Sequence, residues 1–214
     1  MKLFFLLWLL VLPVMAGELH YLTADAINAD TFPAPPLANS KVDQSDLAAV
    51  LQWQETRTTL DCERAFAENE GTAQSFYAPP YGPMTQAQAD QLAEFHERLF
   101  DEVNFFVRLV KEKWQRPRPF MRSADVNPCV PVRPSHSYPS GHAAAARISA
   151  LTFSKVHPRL RLRLIKRAQV IAQDRVVGGV HNPTDVSAGL QLADLVFAEL
   201  MKLERFRADV EGLK

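Results

Sequence analysis

The apolar residues Leu92, Phe95, Leu99, Val103, Phe106 and Val110 recur at steps of three and four. That spacing puts them on one stripe of a long α-helix, and the stripe has to be buried against other helices. Thr85-Gln86-Ala87-Gln88 ahead of it reads as a capping box that opens the helix, and Pro117 and Pro119 close it near Trp114. Helical spacing returns in Leu47, Val50, Leu51 and Trp53, in Leu60, Cys62 and Phe66, in the run from Leu160 to Ile171, and in Val186, Leu190, Ala193, Phe197 and Leu200. No run alternates convincingly with period two and no long repeat is present, so the expected fold is all-α, a single-domain helical bundle. A chain of 214 residues that is 47% hydrophobic is enough for one domain with a sizeable core.

Residues 1–16 carry Lys2 and then an apolar run from Leu3 to Val14, the pattern of a secretory signal peptide. Residues 17–40, with Pro33, Pro35 and Pro36, read as an extended arm, and residues 41–214 as the helical domain. The apolar run is shorter than the roughly 20 residues a spanning helix needs, so no stable membrane insertion is expected once it is removed. Lys plus Arg and Asp plus Glu number 24 each, which argues against a nucleic-acid or anionic-membrane partner and makes any attraction for phosphate local. In an oxidising compartment Cys62 and Cys129 form either one disulfide or two buried thiols. Gly71 to Pro83 reads as a loop with exposed aromatics Phe76, Tyr77 and Tyr81, either a lid or plain surface. His96 reads as a surface or packing residue, and His136 and His157 receive no role.

Chemistry gathers at Ser137-Tyr138-Pro139-Ser140-Gly141-His142, followed by Ala143 to Ala146. Ser140 is the natural N-cap of an alanine-rich helix, whose first N–H groups and positive dipole end suit a phosphate-like anion, and His142 lies in the first turn. Gly141 keeps a side chain out of the anion's approach. Upstream is Lys111-x6-Arg118-Pro119, with Arg116 between them given no part; downstream is Arg175-x5-His181-x3-Asp185. Asn182-Pro183 reads as N-cap and first residue of another helix, so His181 stands just before a helix start and Asp185 about one turn in, within reach of the imidazole. Three cations, two histidines and a carboxylate form a phosphoryl-transfer set.

These motifs resemble those of the type-2 phosphatidic acid phosphatase superfamily, and within it the bacterial class A non-specific acid phosphatases. The first two parts of the family's signature are unaltered, whereas Asp174 stands where the family usually has Ser before Arg175. The resemblance implies a helical bundle of the acid phosphatase and vanadium haloperoxidase type. It implies His181 as nucleophile through a phosphohistidine, Asp185 as its orienting partner and His142 as general acid. Lys111, Arg118, Ser140, Gly141 and Arg175 would hold the phosphate. Neither metal nor cofactor is expected, the cations standing in for a metal. Small phosphorylated metabolites would be the partners, in the periplasm or outside the cell, with a homo-oligomer left open. The same pocket suits a vanadium-dependent haloperoxidase or a phosphatase for lipid or diphosphate substrates, and a phosphate-binding protein with an inactive site is the non-enzyme alternative. Asp174 would either hold Arg175 or compete with substrate for it.

Overall fold

The computed structural model describes residues 19–214; the expected signal segment at 1–16 lies outside them. Ten α-helices follow in order: α1 Lys41–Thr56, α2 Thr59–Ala67, α3 Ala73–Tyr77, α4 Gln86–Gln91, α5 Ala93–Trp114, α6 Pro119–Arg122, α7 Gly141–Val156, α8 Arg161–Val177, α9 Pro183–Leu200 and α10 Glu204–Gly212. No strand occurs among the described residues, and the fold is all-α.

Helix α7 is the centre of the bundle, packed against α5, α8 and α9. Its residues Ala143 to Ala146 are all buried, because methyl side chains let three neighbouring helices approach one axis. Helix α9 comes so near that a Cβ on Gly189 would stand 2.4 Å from the Ser140 carbonyl oxygen. Any side chain there would push α9 away from the start of α7, so glycine is a packing requirement at this crossing.

The apolar stripe is buried as its spacing requires, with Val107 added to it. The helix is nevertheless broken. Thr85 and Gln88 form their reciprocal capping box on the short α4, and Leu92, at φ −97° and ψ 2°, ends it before α5 starts at Ala93. On α2 the expected core face is not the buried one: Leu60 and Phe66 are exposed, while Ala65 is fully buried. This helix is held by polar and covalent ties instead, through Arg64 to Asp174 on α8 and through a disulfide between Cys62 and Cys129.

The 71–83 segment is a core plug. Phe76 and Tyr77 on α3 are 0% exposed, contrary to their expected exposure, and of the three aromatics only Tyr81 reaches solvent. Tyr77 stacks edge-on against Phe153 and its hydroxyl donates to the Ala146 carbonyl. His96 is buried as well, its Nε2 2.7 Å from Gly71 O and its Nδ1 2.9 Å from Ser149 Oγ. Burial pushes its pKa down to about 4, so it is a neutral clamp on the 68–72 turn. The stretch from Leu19 to Ser40 has no helix and lies along α5. Buried Glu102 accepts from the backbone N–H groups of His20, Tyr21 and Leu22 at 2.6, 3.1 and 2.7 Å, and Tyr138 donates to Pro33 O at 2.8 Å.

Candidate active site

Four chain segments end at one point. Lys111 is on the last turn of α5, Arg118 caps α6 from an extended segment, Ser140 caps α7, and Arg175 is on the last turn of α8. His181 immediately precedes Asn182, the N-cap of α9, and Asp185 is the third residue of that helix in a complete capping box with Asn182. The two helix starts are tied directly, Ser140 N–H donating to Asp185 O at 2.9 Å. The proline after Asn182 and the alanines after Ser140 therefore fix where both histidines stand.

His181 is 2% exposed and its two nitrogens face opposite charges. Arg118 Nη1 lies 3.1 Å from Nε2, and an arginine only donates, so Nε2 carries the lone pair and Nδ1 the proton. Nδ1 faces Ser137 Oγ at 3.4 Å and Asp185 Oδ2 at 3.7 Å. The second distance exceeds hydrogen-bond length; Ser137 bridges it, donating to Asp185 Oδ2 at 2.6 Å. Burial, and then Arg118, push His181 down to about 3, which favours its neutral form. In Asp185 burial is outweighed by His181, Arg116 and Ser137, and the carboxyl is held well below its ordinary range.

The cations are short of negative charge. Arg175 is 3% exposed, with no hydrogen-bond partner for Nε or Nη1 among the described residues, and burial takes its pKa to about 10. Arg118 spends its donors on the Ser135 carbonyl and hydroxyl and on the Val180 carbonyl, and burial takes it also to about 10. Lys111 donates to the His136 carbonyl; burial and Arg118 bring it to about 7. His142 places Nε2 3.1 Å from the Asn69 carbonyl, and burial together with Arg175 keeps its pKa well below 6.5. A Cβ on Gly141 would meet Asn104 and Val107 at 3.6 and 3.7 Å, ordinary contact, so the surrounding protein does not itself demand glycine there.

Contacts and charge interactions thus link Lys111, Arg118, His142, Arg175, His181 and Asp185 to one another, and four supporting residues join them. Arg116 is 6% exposed; its Nη2 reaches Asp43 at 2.7 Å and Asp46 at 2.8 Å, while Nη1 reaches Asp185 Oδ1 at 2.6 Å. No local pattern marks it, since its partners Asp43 and Asp46 lie far away in the chain. Ser137 and Asn69 act through hydroxyl and backbone contacts that no side-chain pattern announces, whereas Asn182, read from the sequence as an N-cap, also donates its side-chain amide to Asp185 Oδ2 at 3.0 Å. Asp174 neither holds Arg175 nor competes with substrate for it: it forms a double hydrogen bond to Arg64 at 2.7 and 2.7 Å.

A PAP2 superfamily profile matches residues 103–208, the span that contains the motif residues from Lys111 to Asp185. The chain belongs to the PAP2 superfamily. It is 27% identical over 208 residues to the non-specific acid phosphatase of Providencia stuartii, covering 92% of this chain and 84% of that enzyme. In fold it is similar to the transmembrane PAP2-type phosphatidylglycerolphosphate phosphatase of Bacillus subtilis, with a TM-score of 0.55 and 21% identity over 83% of this chain and 90% of that one. A bacterial vanadium-dependent iodoperoxidase shares the fold at a TM-score of 0.57 and 15% identity, over 82% of this chain and 54% of its own.

Proposed function

We propose that this PAP2-superfamily phosphatase is an acid phosphatase that hydrolyses phosphate monoesters outside the cytoplasm, through a phosphohistidine on His181 and without a metal. The observation that carries the reading is the uncompensated Arg175, its Nε and Nη1 buried beside His142 without hydrogen-bond partners among the described residues. A phosphoryl group supplies the oxygens those donors lack. With Lys111 and Arg118 added, three cations surround the equatorial oxygens, the role that a metal plays elsewhere.

In this reading His181 Nε2 attacks phosphorus and the ester P–O bond breaks. The leaving oxygen takes a proton from His142, whose Nδ1 remains for this transfer because Nε2 faces the Asn69 carbonyl. Water then attacks the phosphohistidine, giving its proton to His142 as the P–N bond breaks and phosphate departs. The bound dianion is what charges His142, since in the open pocket it is held neutral. Ser137 and Asp185 keep the His181 proton on Nδ1 throughout. The Cys62–Cys129 disulfide supports an extracytoplasmic location; among the described residues no helix is long and apolar enough to cross a membrane.

The test is hydrolysis of nitrophenyl phosphate in EDTA with trapping of labelled phosphate on the protein. Wild type should turn over and hold acid-labile label, His181→Ala should do neither, and His142→Gln should accumulate label because breakdown of the intermediate lacks its base. Label on the His181→Ala protein, or activity that vanishes in EDTA and returns with zinc or magnesium, defeats the reading.

A further inference from the structure

We propose that the cleft between α2, α8 and the Tyr81–Pro83 turn is a second anion site, separate from the catalytic pocket, that takes a phosphate-type oxyanion. The cleft has a volume of about 550 Å³ and is lined by Arg64, Tyr81, Gly82, Arg163, Lys166 and Arg167, four cations without a lining carboxylate. Arg163, Lys166 and Arg167 stand at steps of three and four on α8, so one helix face presents all three.

Arg167 makes this a built site. It is 4% exposed, its Nε donates to Phe76 O at 2.8 Å and its Nη1 lies 2.7 Å from Glu68, but Nη2 has no hydrogen-bond partner among the described residues. Glu68 compensates that charge poorly: burial raises its pKa to about 8, so it carries a proton at acid and neutral pH. A buried guanidinium with an idle donor and a protonated counter-group favours an anion at its open side. Tyr81 is partly exposed and sets its ring 5.7 Å from the Arg167 guanidinium. The turn that carries it is fixed, since Gly82 N–H donates to Ala78 O at 2.8 Å and a Cβ there would lie 1.9 Å from the Tyr77 carbonyl carbon.

The site is distinct from the catalytic one. Arg167 and Arg175 are eight residues apart on α8, about 12 Å at 1.5 Å per residue. Asp174 and Glu68 lie between them, and Asp174 neutralises Arg64 from behind the cleft.

The experiment is calorimetric titration of the mature protein with inorganic phosphate at pH 6. Wild type should bind two phosphates per chain. Arg163→Glu/Lys166→Glu, on exposed positions, should weaken one event by at least about tenfold while leaving turnover and competitive inhibition by phosphate unchanged. Arg175→Met should remove the other event and keep the first. A single event in wild type, or two events indifferent to the charge reversal, overturns the second site. Absent turnover with the reversal-sensitive event intact would instead count against the catalytic reading alone.

Discussion

Two clusters of buried arginine lie side by side in this bundle and are built in opposite ways. Arg116 is surrounded by Asp43, Asp46 and Asp185, and Arg122 shares Asp43 at 2.5 Å. Although burial opposes it, this company pushes the Arg116 pKa above its ordinary value. Across the His181 ring, Lys111, Arg118 and Arg175 are all pushed down by the same burial, with far too little negative charge to reverse it. The first cluster is complete as it stands and serves as scaffold. The second lacks such counter-charges, and in the proposed reading a bound anion supplies them.

Substitution separates the two. Arg116→Met leaves Asp43, Asp46 and Asp185 buried without their cation, and unpairing a buried network of this kind costs about 3–5 kcal/mol. Thermal or urea unfolding should show that loss, with activity falling as Asp185 loses its anchor. Arg175→Met removes a charge that has no hydrogen-bonded counter-ion in the pocket. Stability should hold or rise slightly while kcat/KM drops by about 10²–10³, the cost of one transition-state donor. Equal destabilisation by the two variants would erase the distinction.

The scaffold cluster also marks where reading the sequence stopped. The pocket residues were legible because fixed spacings tie them to helix ends: Lys111 to a proline-terminated helix, Ser140 to an alanine run, His181 to an Asn-Pro start. Helix positions were legible for the same reason, through the stripe on α5 and the cap at Ser140. Arg116 was not, because its partners Asp43 and Asp46 lie some 70 residues away on α1, and pairing over that separation leaves no local pattern. Phe76 and Tyr77 sit between prolines and glycines that suggest surface, yet one turn of helix carries them into the core. Leu60 and Phe66 have core spacing and face solvent, because α2 is attached by a disulfide and by Arg64 rather than by its apolar face.

An anion should repair the open cluster. Inorganic phosphate at about 100 times the Kd of the catalytic pocket adds roughly 2.7 kcal/mol to unfolding through that pocket, a gain that should be missing in Arg175→Met. Because Lys111 sits near pH 7 in the open pocket, a bound dianion raises it, and binding at pH 8 should take up protons. Calorimetry in buffers of different ionisation enthalpy reads that uptake. Release of protons would mean that Lys111 already has a counter-charge.

The last test concerns Glu68, the carboxyl between the second anion cleft and Arg175. Its folded pKa, raised by burial from 4.5 to about 8, means the folded chain keeps a proton that the unfolded chain releases. Its contribution to stability is therefore full below pH 4.5 and is lost as pH rises toward 8, by at most about 1.36 kcal/mol per pH unit. His142 and His181 act in the opposite sense: both are lowered, so the unfolded chain binds their protons first and stability falls as pH drops below 6.5. Lys111, also lowered, adds stability as pH climbs above about 7. The wild-type curve is the sum of these slopes, and Glu68→Gln removes one of them. Wild type minus variant, measured by urea unfolding from pH 4.5 to 8, should decline steadily across that window. A flat difference would place a full negative charge on Glu68, pair Arg167 completely, and leave the cleft without its reason to bind an anion.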